Sequence, residues 1–313
     1  MSSDTLEKLV LKKYVLDEQA CARLARMIQN TNVLLPLTRL QFYNAFQEYD
    51  GPMWLFNSMG THPTAFQNVL ELVISTRYMR VDACQTLASV LNTNALPKLQ
   101  TLCLSDTPIG LSGFLPILQG LELSACGKTL RVLNIMKCNI SVRGAEALGQ
   151  AIRRDVLPSL QELFLNDNRD LGDEGVTYLA QGLQASSQIK LHCLHLSLVG
   201  IGDAGLKSLA EAIGSGALLE CRVIQADRNT FIHNVSPINS AQRSGGLKNL
   251  TSFDFSQNIF EPGAVTVLAN SPFEHCPVLE SLNLPRVDPG PRQVIKEICD
   301  SYGREKAISL KFH

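Results

Sequence analysis

Cys193 and His195 stand two residues apart, so on an extended strand both side chains leave the same face and could supply two ligands to a metal such as zinc. A third and fourth ligand are not evident nearby, because His192 falls on another side of the chain, and no metal is expected. The run Cys126-Gly127-Lys128-Thr129 mimics the end of a phosphate-binding loop. Glu122, however, takes the place of the required glycine, and the segment precedes a strand instead of following one. No nucleophilic-serine elbow, zinc-protease helix or paired-carboxylate site occurs, and acidic residues such as Glu146 and Glu211 read as a solvated helix face. The chain is therefore expected to need no cofactor and to act without catalysis.

What positions these residues is a repeat. Eleven stretches ending in Leu11, Phe42, Ile74, Leu104, Ile135, Leu165, Leu196, Ala226, Phe255, Leu284 and Phe312 share the pattern apolar-x-x-apolar-x-apolar, at steps of 28 to 32 residues. Such even steps belong to a tandem array, since a chain wrapped round one core has no reason to reuse its strands at a fixed interval. No Pro/Ser-rich linker or charge block interrupts the period, so residues 1–313 are read as one domain.

Within a unit, Leu163 and Leu165 alternate as a short strand, and Leu179 with Leu183 forms an i, i+4 helical pair. The pair recurs as Leu24/Ile28, Leu87/Leu91, Leu148/Ile152 and Leu209/Ile213. Asp173 and Asp203 are placed to cap the helices that follow them. A column of small residues, Ala20, Ala83, Gly113, Gly144, Gly175, Gly205 and Gly263, marks the first helical turn and points to close packing there. Two units depart from the pattern, near 43–66, where a short helix over 52–59 is expected, and near 227–247, where polar residues replace the helical pair.

The motif Leu-x-x-Leu-x-Leu-x-x-Asn at Leu160 to Asn168, its variants at Leu130 to Cys138 and Leu250 to Asn258, and Gly-Asp-x-Gly at 172–175 and 202–205 carry a specific likeness. The units resemble leucine-rich repeats of the ribonuclease-inhibitor-like subclass. A helix in every crossover makes successive strands parallel, and strands about 4.8 Å apart beside helices about 10 Å wide force curvature. The fold class expected is thus α/β, a curved horseshoe solenoid of about ten to eleven repeats, with a parallel sheet on the concave face and helices on the convex face.

On that concave face the alternation exposes a middle column running Val10, Gln41, Val73, Cys103, Asn134, Phe164, His195, Gln225, Asp254, Asn283 and Lys311. Flanking columns contain Lys12, Tyr43, Met136, Asn166, Asp227 and His313 on one side, and Val132, Glu162 and Cys193 on the other. Apolar and aromatic groups on a surface otherwise wet are interface anchors, so Tyr43, Val132, Asn134, Met136, Phe164, Asn166, His195 and Gln225 are the candidate protein-binding residues. The plainer reading is that isolated apolar residues on a sheet need no partner.

A net charge of −1 gives no case for nucleic acid or an anionic membrane, and no eighteen-residue apolar run or signal core appears. Nine cysteines without a C-x-x-C, several at core positions such as Cys21, Cys84 and Cys138, fit free thiols in a reducing, cytoplasmic compartment. The leading function is a non-enzymatic scaffold holding a protein partner. The resemblance does not extend to a ribonuclease partner, because that inhibitor family is more acidic and richer in cysteine. The alternative is a GTPase activator resembling the Ran GTPase-activating protein, although the acidic C-terminal run of that family is absent from Glu305 to His313. Neither end carries a dedicated cap, so a further expectation is that another chain covers at least one end in a larger assembly.

Overall fold

The computed structural model describes residues 7–13, 16–30, 37–46, 50–229, 231–260, 276–285 and 309–312, with Ala264 and Gln293. Gly263 and His313 lie outside the described residues. The chain divides into two compact units, one of residues 1–140 with 156–160, the other of 141–155 with 161–313.

In the first unit the strands β1 (Lys8–Lys12), β2 (Arg39–Tyr43), β3 (Glu71–Ser75), β4 (Thr101–Cys103) and β5 (Val132–Asn134) pair in chain order, all parallel. The helices α1 (Glu18–Asn30), α2 (Gly51–Thr61), α3 (Val81–Asn92), α4 (Gly110–Leu123) and the single turn α5 (Cys126–Thr129) alternate with them. The second unit contains α6 (Val142–Arg153), β6 (Glu162–Phe164), α7 (Gly172–Ala185), β7 (Cys193–His195), α8 (Asp203–Gly214), β8 (Val223–Gln225), β9 (Phe231–Ile232) and α9 (Ser236–Arg243). β10 (Ser252–Asp254), β11 (Ile259–Phe260), β12 (Ser281–Leu284) and β13 (Ser309–Phe312) follow. Here β6, β7, β8, β10, β12 and β13 pair in that order, again parallel. Each unit is the expected open α/β leucine-rich-repeat array, and the eleven strands that pair in these orders fall on the stretches that the period marks, leaving β9 and β11 outside them.

The register confirms the column. Val10, Gln41, Val73, Cys103 and Asn134 are successive partners in the first unit, and Phe164, His195, Gln225, Asp254, Asn283 and Lys311 in the second. Between them, Leu40, Leu72, Leu102, Leu133, Leu163, Leu194, Ile224 and Phe253 are buried, each contributing about 1.5–3 kcal/mol. One member departs: Val73 is buried, so the face is closed at β3.

A polar ladder secures the turn that ends each strand. Apart from the turn after β3, the described turns take a left-handed residue, found at Lys13, Asn44, Asp106, Lys137, Asp167, Leu198, Arg228 and Gln257, all with φ between 48° and 58°. At Lys13, Lys137, Leu198, Arg228 and Gln257, which lack the short polar side chain of Asn or Asp, this costs roughly 1–2 kcal/mol each. The next residue, or the one after it in the following repeat, closes the bonding. Thr107 Oγ1 donates to the Ile74 carbonyl (3.1 Å), and Cys138 Sγ to that of Leu104 (2.9 Å). Asn258 Nδ2 donates to Ala226 and Phe255 (2.9 and 2.8 Å). Asn229 does most: Nδ2 donates to the carbonyls of Leu196 and Ala226, while Oδ1 accepts the amides of Val199, Gly200 and Ile201. Val199 fills the ladder position of its own repeat without a polar group, and Asn229 satisfies the orphaned amides from one repeat further on.

The helix layer depends on absent side chains. A Cβ on Gly149 would lie 2.4 Å from the Tyr178 carbonyl oxygen, and one on Gly182 2.4 Å from that of Gly149, so α6 and α7 meet backbone to backbone. In the small-residue column, a Cβ on Gly113 would come within 2.7 Å of Cys84 Sγ, and one on Gly205 within 2.6 Å of Asp173 Oδ1. Size is the constraint there. The helical pairs from Leu87/Leu91 to Leu209/Ile213 are buried, whereas Leu24 is only half-buried.

Three expectations are corrected. Asp173 and Asp203 cap the following repeat, not their own helix: Asp173 Oδ1 accepts the amides of Gly202 (2.6 Å) and Gly205 (2.8 Å), and Asp203 Oδ1 those of His233 and Asn234. Each aspartate already sits inside the first turn of its own helix, so its carboxylate projects toward the neighbour. Burial acts to raise the Asp203 carboxyl, but the Asn234 and His233 amides and the His233 ring outweigh it and hold it below its ordinary value. The helix of the irregular unit near 43–66 runs over Gly51–Thr61 with a further turn at Pro63–Phe66, because Pro52 starts it without a polar cap. In the unit near 227–247 the expected gap holds an eight-residue helix, α9, whose inward side is Ile238 and Ala241, and the unforeseen strand β9, paired with β11.

Replacing Asn229 with Ala removes the acceptor of three amides and a donor to three carbonyls, of which Ala226 keeps Asn258. Urea unfolding is expected to report a loss of about 2–4 kcal/mol. A loss below about 0.5 kcal/mol would show that the ladder is not a main support.

Candidate functional site

Strand register brings Phe164, His195 and Gln225 side by side on the open face of the second unit. The Phe164 and His195 rings stack with centroids 4.4 Å apart and planes 20° from parallel. His195 Nδ1 meets Gln225 Oε1 at 2.6 Å. Nδ1 therefore carries the proton in the neutral ring, and Nε2 is left as an acceptor. The row continues with Asp254, whose Oδ2 accepts from Asn283 Nδ2 (2.8 Å) and whose Oδ1 accepts the Ser256 amide (2.9 Å). All five side chains are half-buried, so each keeps contact with solvent while its conformation is fixed by a neighbour.

Alongside this row runs a second, at the strand ends. Asn166 Oδ1 accepts the Ser197 amide (3.2 Å), Ser197 Oγ donates to Asp227, and Asp227 meets Arg228 Nε at 3.5 Å. Asp227 is buried, its charge met by these two groups. Asn166 is thus partly engaged in holding a turn.

In the first unit, Val132, Asn134 and Met136 gather on β5 and its turn, all half-buried, with Asn134 Oδ1 accepting the Met136 amide (3.1 Å). Tyr43 stands three strands away at the end of β2, beneath Lys12, whose Nζ lies 5.4 Å from the ring centre. Burial first, then Cys103 and Glu71, push the Tyr43 hydroxyl pKa up. The first unit thus brings three of its four candidates together and leaves Tyr43 apart.

The columns were legible from alternation, whereas the bonds between columns were not foreseen. A signal existed: His195/Gln225 and Asp254/Asn283 each set a donor against an acceptor at one repeat's spacing. Chemistry weighed from sequence resolves into structure. Gly127 packs so tightly that a Cβ would lie 2.2 Å from the Leu121 carbonyl oxygen, and Thr129 Oγ1 donates to Leu99 (2.8 Å), so this run is a structural turn. Among the described residues no group of three or more His, Cys, Asp or Glu could hold a metal ion.

Three segments, 128–149, 156–180 and 187–210, match the leucine-rich-repeat family model. The chain is 32% identical over 206 residues to the NACHT, LRR and PYD domains-containing protein 12 of Homo sapiens, covering 66% of this chain and 18% of that protein. It is 33% identical over 145 residues to the ribonuclease inhibitor of Sus scrofa, covering 46% and 30% respectively. It thus spans less than a third of the length of these curated relatives. An internalin structure from Listeria monocytogenes aligns over 98% of this chain and 87% of its own at 14% identity, with a TM-score of 0.45. Among the described residues no helix is long and apolar enough to cross a membrane.

The eight described cysteines form no disulfide with one another, and six are buried. Burial, with Asp17, pushes the Cys21 thiol up to about 12, and burial with Asp82 does the same for Cys84. Burial alone raises Cys276 to about 12, and it dominates at Cys221, also about 12. At Cys193 burial and Glu162 raise the pKa against Arg222. Thiolate is the nucleophile, so in native protein at pH 8 these four buried thiols should stay unmodified by iodoacetamide and label within minutes in urea. Mass spectrometry of the digested adducts checks this.

Proposed function

From the premise that this chain is a leucine-rich-repeat protein of the ribonuclease-inhibitor-like type, we propose that it is a non-enzymatic scaffold that holds a protein partner on its concave strand face. The observation that carries the reading is the Phe164–His195 stack locked to Gln225. Ordering a flexible side chain on binding costs about 0.5–1.5 kcal/mol, and here neighbours across the strands have already fixed the rotamers. The aromatic pair offers a flat apolar surface, and the free Nε2 of His195 an acceptor at its edge. Asn166 belongs to the same face, and Tyr43, Val132, Asn134 and Met136 are read as the contacts contributed by the first unit. Buried thiols that form no disulfide with one another favour a reducing, cytoplasmic setting for this work.

The test is affinity capture from native cell extract with the wild type and with a Phe164→Asp, His195→Asp double variant. Both residues are half-exposed, so the variant's thermal midpoint should stay within a few degrees. Loss of two interface anchors is expected to weaken the specific partner by more than about 2 kcal/mol, enough to remove it from the captured set. Identical captured sets from two folded proteins would refute the reading.

A further inference from the structure

At the ends of the strands in the first unit, beside the Tyr43 edge of the strand face, lies a cavity of about 480 Å³. Ser75 lines it from the end of β3 and Arg77 from the turn that follows, Asn44 from the turn after β2, Asp106 from that after β4, and Lys137 and Asn139 from that after β5. Lys137 Nζ is held by Asp106 Oδ1 at 3.1 Å. Arg77 is exposed, and its guanidinium meets no partner among the described residues. Ser75 is 9% exposed, yet its hydroxyl has no hydrogen bond among the described residues. That hydroxyl stays open to the cavity and is available to a ligand there.

These features share one chemistry. The lining sets two cations, Arg77 and Lys137, against one carboxylate, Asp106, which leaves a single positive charge on the most donor-rich fork a side chain can offer. The Asn44 and Asn139 amides and the Ser75 hydroxyl add neutral donors. A monoanion matches that balance, whereas the second charge of a phosphate would face Asp106 unopposed. We propose that this cavity binds a carboxylate of a polypeptide, gripped in bidentate fashion by Arg77 with Ser75 completing the contact. The site is separate from the strand-face reading, and either can fail without the other.

The experiment titrates the full-length, isotope-labelled chain with N-acetylglutamic acid α-amide and with acetyl-triglycine, following the Ser75 backbone and the Asn44 and Asn139 side-chain amides by NMR. Their neutral counterparts, N-acetylglutamine amide and acetyl-triglycine amide, and inorganic phosphate are run beside them. Saturable shifts are expected from at least one carboxylate, with a Kd on the order of millimolar, and none from the neutral forms. The tighter of the two carboxylates tells a side chain from a chain terminus. Arg77→Gln should weaken binding roughly tenfold, and Asp106→Asn, which releases Lys137, should tighten it severalfold. If Arg77→Gln disturbs resonances away from the cavity, Arg77→Lys takes its place and should weaken binding by a smaller factor, keeping the charge and losing the fork. No saturable shift, equal shifts from the neutral forms, tighter binding of phosphate, or indifference to the Arg77 changes would overturn the proposal.

Discussion

The turn that closes each strand is the constraint from which the rest of the molecule follows. A three-residue strand supplies few ladder bonds of its own, and the chain must then reverse toward a helix through a left-handed residue. That reversal strands backbone amides and carbonyls in a region shielded from water, where each unmet group costs about 1–3 kcal/mol. Thr107, Cys138, Asn229 and Asn258 meet the need with different atoms and one geometry. The period of the sequence is the period of this requirement.

Spacing on the helical side is a second consequence. Helices are wider than strands are far apart, so neighbouring helices must approach closely for the ladder to stay in register. Gly149 against Gly182 in the second unit, and Gly120 against the Ala88 backbone in the first, remove the side chains that would hold them off. The open strand face inherits regularity from both layers. Phe164, His195 and Gln225 are neighbours because Leu163, Leu194 and Ile224 are buried beneath them at matched depth.

Alternation and spacing made the strands, their parallel order and the exposed column readable, because a period of two within a strand and about thirty between strands admits one assignment. The family matches cover the segments where the motif is least degraded. Side-chain bonds between repeats were harder to read. Asp173 sits where a helix cap belongs, and only the orientation of its carboxylate reveals that it serves the neighbour. Polarity misled in the eighth unit, where Ser236 to Arg243 looks unsuited to a helix until Ile238 and Ala241 are seen to share one buried side. Of the candidate site, membership of each column was legible, while the stack and the hydrogen bond that stiffen it depend on rotamers that no pattern specifies.

The two kinds of inter-repeat bond point in opposite directions along the chain. Asn229 and Asn258 reach back to complete the strand-end turn of the repeat before them, whereas Asp173 reaches forward to the start of the next helix and Asp203 to the segment that leads into the next one. An internal repeat is thus a creditor to both neighbours in different coin. Excising one would unravel the reversal on its upstream side and fray the helix on its downstream side, so damage spreads asymmetrically and its pattern tells which repeat was lost.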